Sequence, residues 1–307
     1  MHVIYIDDSG QKESRRRHMG ELVSVGGVIV PEHAVAGFAA AFEGIRADLE
    51  IPADEEIKWK PPRNTFQAAA SGELIDISDA SRPIKDEEKA ACQAKGITYE
   101  EFQVANDALT VVVPKENTWA TCLTVDQLKK IWEPDSKVTS WNQVDPKFPN
   151  EPLKLFGPGT DSGTFDYFTD VINGEEGKSR TDYQPSEDDN VIVQGVAGSK
   201  GGLGYFGFSY FEANSDKLNA VQVDGGGGCV APSVQAAQDG SYKPLSRPLF
   251  IYPAASALKR PEVLAFVEFY VANHAEIAKQ AKFVPLNATQ EAELKSDLDK
   301  LKQQAGQ

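Results

Sequence analysis

Apolar runs alternate with amphipathic segments along most of the chain. Three short, largely apolar runs, at positions 109–113, 191–196 and 249–252, predict buried strands. The segments between them carry apolar residues three or four positions apart, which predicts helices. Strands that alternate with helices favour an α/β fold with a mostly parallel sheet.

Two helices have clear starting signals. Thr124 can cap a helix, with Gln127 three positions later to complete a capping box and Leu128 and Trp132 on the buried face. Pro261 suits the first turn of another helix, whose apolar face runs to about residue 281. Both patterns indicate structural helices.

The first 66 residues differ from the rest. The runs 3–6 and 22–30 predict two short strands, and 31–49 has the apolar spacing of an amphipathic helix. Pro61 and Pro62 then interrupt all regular structure. The sequence therefore predicts a head segment at 1–66 and a larger region at 67–307.

Composition and charge narrow the possible functions. The 307 residues are 41% hydrophobic and 25% charged, as expected for a folded chain, and the formal net charge is −15. Nucleic acids are bound by clustered Lys and Arg, so a nucleic-acid partner is not expected. No apolar run is long enough to span a membrane, and the first residues lack the basic and apolar regions of a signal peptide. The chain as written predicts a cytoplasmic product.

The cysteines do not indicate a metal site. Cys92, Cys122 and Cys229 show no CxxC spacing, which argues against zinc. Three buried thiols, or one disulfide in an exported protein, both fit the pattern. No cofactor is expected.

The stretch 157–164, GPGTDSGT, is the most informative part of the chain. A turn of small residues that opens directly into an amphipathic helix leaves the first N–H groups of that helix free to bind an oxyanion. Ser162 and Thr164 can add hydroxyl donors, and Gly163 allows close approach to the backbone. The alternative is a capped helix that binds nothing.

A second loop, 76–84, offers complementary groups. Ser81 and Arg82 precede Pro83, so a hydroxyl and a guanidinium stand where a strand must end. Arg82 could fork onto two oxygens of an anion, although a surface ion pair is the alternative. Asp79, and Asp161 in the first loop, are the nearest carboxylates that could accept a proton from a bound ligand.

These two loops belong to a longer series of motifs. Together the motifs resemble the PstS-like phosphate-binding proteins of bacterial ABC importers, over about residues 72–301. The resemblance implies a type II periplasmic-binding-protein fold, in which two lobes enclose phosphate in a cleft, with lobe two at roughly 109–206. The segments that carry it are GELIDISDASRPIKDEE, EFQVANDALTVVV, CLTVDQLKKIW, LFGPGTDSGTFDYFTDVI, PSEDDNVIVQGVAGSKGGLGYFGFSYF and PLSRPLFIY.

The resemblance also implies roles for particular residues. It assigns Ser162, Gly163 and Thr164 to the helix that binds phosphate, and Ser81 and Arg82 to the opposite lobe. Many family members have an arginine where this chain has Pro158. The missing charge could come from Arg82 or, as a second choice, from Arg180.

The same resemblance bears on partners and location. It implies a monomeric solute-binding protein, not an enzyme, which acts in the periplasm or at the cell surface and delivers inorganic phosphate to an ABC permease. Phosphate differs from sulfate in still carrying a proton near neutral pH, so selectivity requires an acceptor such as Asp79 or Asp161.

The head does not match that family. Instead, 5–10 (YIDDSG) and 56–59 (EIKW) resemble the opening of the bacterial domain of unknown function family 3800, for which a ribonuclease H-like fold is suggested. The head would thus replace the first part of lobe one with a short α/β segment. Asp7 would then be a candidate metal ligand, which leaves two alternatives open: a metal-dependent nucleic-acid hydrolase or toxin-like protein, and a non-functional chimera.

Overall fold

A computed structural model describes residues 2–4, 28–30 and 76–306 of the protein. The predicted helix at 31–49 and most of the two predicted head strands lie outside the described residues, as does Asp7. Of the head, two short strands are described, and they pair antiparallel with His2 opposite Val30. In chain order the described strands are β1 His2–Ile4, β2 Val28–Val30, β3 Ile77–Ala80, β4 Phe102–Pro114, β5 Cys122–Thr124, β6 Lys154–Gly157, β7 Gln184–Pro185, β8 Gly202–Gly207, β9 Leu218–Ala220, β10 Gln222–Asp224, β11 Cys229–Val230 and β12 Ser246–Pro253.

Helices follow many of these strands, so the described chain is of the mixed α/β kind. A π-helical turn, Thr169–Asn173, continues the fourth helix, and a 3-10 turn, Ala257–Lys259, precedes the eighth. The helices are α1 Asp86–Ala94, α2 Val125–Trp132, α3 Trp141–Val144, α4 Gly163–Phe168, α5 Asp189–Ala197, α6 Phe208–Ala213, α7 Val234–Gln238, α8 Pro261–Gln280 and α9 Ala288–Ala305. Within the described ranges, no helix is both long enough and apolar enough to cross a membrane.

The described residues fall into two compact units. The first takes the described residues up to Phe102 together with Ile251–Asn273 and the end of the chain from Lys295. The second takes Gln103–Phe250 and His274–Leu294. The predicted boundaries at 1–66 and 67–307 stay a prediction.

The second unit is built around a mixed sheet. Its strands lie in the order β9, β4, β8, β6, β7. β6 is parallel to both β8 and β7, whereas β4 is antiparallel to β8 and β9. The predicted mostly parallel sheet is therefore only partly right. Nearly all of β4 is buried, which explains its continuous apolar run.

One predicted strand is wrong, because 191–196 lies inside helix α5. Ile192, Val193 and Val196 are buried, while Val191 is 53% exposed. Apolar residues spaced by one, three and four positions fit a helix with one buried face. Asp188 caps the helix by accepting from the amide of Asn190 at 2.9 Å. A short apolar run does not by itself separate a strand from a buried helix.

The other predicted elements are confirmed. Runs 109–113 and 249–252 lie in β4 and β12, and α8 begins at Pro261. The amide of Gln127 donates to Thr124 Oγ1 at 3.1 Å, and the amide of Thr124 donates to Gln127 Oε1 at 2.9 Å. This is the reciprocal capping box that the sequence predicts for α2.

An aromatic cluster forms the centre of the second unit. Phe168 of α4 stacks on Tyr205 of β8 with ring centroids 3.7 Å apart. Trp132 of α2 meets both rings edge-on, at 5.8 Å and 5.0 Å. All three side chains are almost fully buried. Because large aromatic contacts contribute strongly to packing, the cluster holds α2 and α4 against the sheet.

A small side sheet of the second unit carries a disulfide. β10 pairs with β5 on one side and β11 on the other. Cys122 of β5 is bonded to Cys229 of β11, and Cys92 is a buried free thiol. Of the two open readings of the cysteines, one disulfide is the correct one.

The first unit places β3 beside β12. The amide of Ala254 donates to the carbonyl of Asp76 at 2.9 Å, and Arg260 forms an ion pair with Asp76. Tyr99 packs edge-on against Tyr252 with centroids 6.0 Å apart. These contacts hold the start of β3, and the segment around Tyr99, against the end of β12.

Removing the disulfide should destabilise the second unit. The bond closes a loop of 107 residues, and a cross-link over a long loop typically contributes about 2 to 4 kcal/mol. We expect Cys122→Ala with Cys229→Ala to lower the free energy of unfolding by that amount. Urea unfolding followed by tryptophan fluorescence measures it, and Cys92→Ala is the control for loss of a cysteine. Equal stability of the double variant and the wild type would contradict the prediction.

Candidate anion-binding site

The loop between β6 and α4 has the geometry of an oxyanion receptacle. β6 ends at Gly157, and α4 begins six residues later at Gly163. Ser162 caps the helix, accepting from the amide of Thr164 on Oγ at 3.2 Å. Its own amide donates to the carbonyl of Gly159 at 3.3 Å, which closes the turn. The predicted passage from a small-residue turn into a helix is thus confirmed.

Gly163 leaves the front of the helix open. A Cβ placed on this residue would meet no atom within 4 Å. Among the described residues, none accepts from its amide N–H, as expected for the first position of a helix. Ser162 and Thr164 on either side are partly exposed. An anion could therefore reach one free amide and two hydroxyl groups at a single place.

A second segment, residues 183–187, contacts this loop and is called the bracing segment below. β7 runs parallel to β6, so both strands end at the same edge of the sheet. The hydroxyl of Tyr183 donates to the carbonyl of Pro158 at 2.8 Å, and the amide of Ser186 donates to the carbonyl of Gly157 at 3.0 Å. These two bonds satisfy carbonyl groups of the loop and fix its path.

Gly159 lies in close contact with this bracing segment. A methyl group at this position would overlap the carboxylate of Glu187. Because this carboxylate is the end of a flexible and exposed side chain, a larger residue at 159 would displace Glu187 and leave the path of the loop unchanged. The sequence pattern singled out Gly163 and not this second glycine.

Acidic side chains lie in the bracing segment and directly after it. Burial, with the nearby charges of Asp188 and Glu187, raises the pKa of Asp189 to about 6. Burial and the charge of Glu187 raise the pKa of Tyr183 to about 12, so its hydroxyl keeps its proton. Asp161, the acceptor candidate in the loop itself, is exposed. The hydrogen-bond donors of the loop between β6 and α4 are thus neutral amide and hydroxyl groups, and carboxylates lie near them.

Arg180, the second choice for the missing charge, has a structural role. It is 5% exposed, and its Nη1 donates to the carbonyls of Ile131 and Val138 at 3.0 and 2.9 Å. Nε and Nη2 bind the carboxylate of Asp182 at 2.6 and 2.8 Å. A cation at the carboxyl end of α2 satisfies free carbonyls and complements the helix dipole.

Arg247 is a cation near α4 that sequence reasoning missed. Its guanidinium carbon lies 3.9 Å from the ring centroid of Tyr167 in α4, and Nε donates to Asp107 at 3.1 Å. Burial is the main cause that raises the pKa of the Tyr167 phenol. The hydroxyl of Tyr167 in turn donates to the carbonyl of Pro244 at 2.6 Å. No local motif links these residues, since 80 positions separate Tyr167 from Arg247.

The first unit holds the other predicted group of residues. Asp79, Ser81 and Arg82 lie at and just after the end of β3, and all three are partly exposed. The guanidinium of Arg82 forks onto the carboxylate of Glu88, with Nη1 to Oε2 at 2.9 Å and Nη2 to Oε1 at 2.7 Å. In this structure Arg82 therefore forms an ion pair, which is the alternative that the sequence left open, and its partner Glu88 was not identified from the sequence.

The residues at the start of α4 and those at the end of β3 carry groups that can donate hydrogen bonds to a small anion. Comparison with known proteins gives the class. Residues 60–274, more than two thirds of the chain, match the family model described as a PBP superfamily domain. The chain belongs to this family of solute-binding domains, and it is not an enzyme.

Individual relatives agree with the family. Protein SphX of Synechocystis is 43% identical over 260 residues, which cover 84% of this chain and 75% of SphX. Phosphate-binding protein PstS of Staphylococcus saprophyticus is 40% identical over 236 residues, which cover 76% of this chain and 72% of PstS. The predicted PstS-like resemblance is therefore confirmed.

A solved structure supports the fold. A possible phosphate binding protein from Planctomyces limnophilus is 47% identical, with a TM-score of 0.74, and the match covers 77% of this chain and 84% of that one. The predicted α/β class and the type II periplasmic-binding-protein fold are confirmed. The resemblance of the head to another family stays a prediction.

Replacing Arg180 should weaken the fold and not the ligand site. Arg180→Gln would leave the buried carbonyls of Ile131 and Val138 without their donor, so we expect a loss on the order of 2 to 4 kcal/mol of stability. Urea unfolding measures this loss, and Lys178→Gln in the same loop is the charge-matched control. Phosphate affinity should change less than twofold. A large affinity loss with unchanged stability would assign Arg180 to the site instead.

Proposed function

We propose that this protein captures inorganic phosphate and delivers it to the permease of an ABC importer. The observation that carries the proposal is the open amide of Gly163 at the start of α4, flanked by Ser162 and Thr164. A helix start combines free N–H donors with the positive end of the helix dipole, which suits a phosphate oxygen. The family and the phosphate-binding relatives support this choice of ligand.

Ser81 and Arg82 are proposed to supply the remaining donors. Arginine suits phosphate because its planar donors match two oxygens at once. Asp79 or Asp161 is proposed to accept the phosphate proton, which would reject sulfate. The proposal assigns no role to a metal or cofactor.

We propose that the protein is exported and acts as a monomer. The family is one of periplasmic or cell-surface substrate-binding proteins. The disulfide between Cys122 and Cys229 supports this location, since such bonds persist in oxidising compartments and are rare in the cytosol. An ABC permease is the expected partner, by the same family relation.

The head at 1–66 is proposed to belong to a separate family of unknown function. The start of the family match at residue 60 supports a boundary near that position. A metal-dependent hydrolase centred on Asp7 has no support from the described residues, and Asp7 itself lies outside them. Phosphate titration tests the remaining alternative, a chimera that binds nothing.

Removing one donor from each loop should abolish binding. Each charge-assisted hydrogen bond contributes about 1.5 to 3 kcal/mol, so Thr164→Ala with Arg82→Ala should weaken affinity by at least a hundredfold. Isothermal titration calorimetry measures the change. Thr118→Ala with Lys89→Ala, two exposed positions outside both loops, is the matched control. Micromolar affinity in the first double variant would place phosphate elsewhere.

Sulfate should not compete with phosphate. A carboxylate acceptor stabilises only a ligand that still carries a proton, and it repels sulfate. We expect a hundredfold excess of sulfate to leave the apparent phosphate affinity unchanged in calorimetry. Sodium chloride at the same ionic strength controls for screening. Strong competition by sulfate would remove the acceptor from the proposal.

A further inference from the structure

We propose that Glu88 is the positioning residue for Arg82 and leaves one edge of its guanidinium directed to the ligand. This inference rests on the proposed phosphate function. Glu88 lies in the first turn of α1, six residues after Arg82, and its side chain is 12% exposed. Nothing in a local sequence pattern distinguishes it from its neighbour Glu87.

The geometry divides the five N–H groups of Arg82 into two sets. Glu88 takes one N–H from each of Nη1 and Nη2, and the carbonyl of Pro83 lies 3.0 Å from Nη1. The Nε–H and the second Nη2–H remain, and these two point in parallel along one edge of the guanidinium. Among the described residues, none accepts from that edge. It is a second fork, suited to two oxygens of one phosphate.

Glu88 is itself held firmly. Its Oε2 accepts from the amide of Lys85 at 2.8 Å, so the carboxylate also caps α1. The hydrogen bond from Arg82 is the main cause that lowers the pKa of Glu88, which keeps the carboxylate charged at neutral pH. An ionised, doubly bound carboxylate fixes the plane of the guanidinium.

The backbone of the same loop is fixed as well. The hydroxyl of Tyr252 lies 3.2 Å from the carbonyl of Arg82 and 3.0 Å from Glu101 Oε2. The amide of Ile84 donates to the same oxygen of Glu101 at 3.1 Å. Hydrogen bonds within the protein therefore hold both the main chain and the side chain of Arg82.

Two effects of this arrangement are separable by experiment. A long side chain that is already ordered loses less conformational freedom on binding, which is equivalent to about three- to tenfold in affinity. The neighbouring carboxylate also neutralises the charge of Arg82. Binding should then depend on hydrogen-bond geometry and only weakly on salt.

The test compares two isosteric charge removals in adjacent positions. Glu88→Gln keeps an oxygen to cap α1 but breaks the fork on Arg82, whereas Glu87→Gln removes the same charge from an exposed position. We expect Glu88→Gln to weaken phosphate binding about three- to tenfold and to steepen its dependence on sodium chloride. Glu87→Gln should change affinity less than twofold. Calorimetry at low and high salt gives both quantities, and thermal melting confirms that the variants are folded.

Coupling to Arg82 completes the test. In an Arg82→Ala background, Glu88→Gln should have no further effect, because nothing remains to be positioned. Arg82→Lys should lose most of the contribution of Arg82, because one ammonium cannot form two forks. Equal affinities for Glu88→Gln and Glu87→Gln, or tighter binding by Glu88→Gln, would overturn the inference and leave Arg82 in the site. An unchanged affinity in Arg82→Ala would remove Arg82 and Glu88 together, while Thr164→Ala tests phosphate capture separately.

Discussion

The exposed start of α4 is the feature on which the candidate site depends. Unpaired amide groups at a helix start bind an anion well only if the helix cannot move away from it. The stacked rings of Phe168 and Tyr205, with Trp132 against their edges, fix α4 to the sheet. The carbonyls of Gly157 and Pro158 are already occupied by donors from the bracing segment. No described residue accepts from the amide of Gly163, which lies at the open start of the helix.

This arrangement explains how an acidic protein can bind an anion. The formal charge of −15 is spread over the whole chain, whereas recognition by amide and hydroxyl groups acts over hydrogen-bond distances. Carboxylates near the loop, such as those of Glu187 and Asp189, belong to this negative charge. Local donors and a generally negative surface are therefore compatible.

Three arginines show how neighbours decide the use of a charge. Arg180 is buried and fully engaged at the end of α2, so it stabilises the fold. Arg247 packs on Tyr167 and pairs with Asp107, which links α4 to two strands of its own unit. Among the described residues, Glu88 pairs with one edge of the Arg82 guanidinium, and the side chain of Arg82 is 40% exposed. Equal charges thus have different roles because burial and partners differ.

The sequence alone determined the features that depend on neighbouring residues. The turn of small residues before α4 and the capping box at Thr124 obey rules that act within about four positions, and both are confirmed. Tertiary structure decided the rest. Residues 191–196 became helical because one face packs on the sheet, the side chain of Glu187 lies against Gly159, and Arg247 meets Tyr167 across 80 positions. Contacts between distant segments form only when the whole chain packs, so they cannot be predicted from a local sequence pattern.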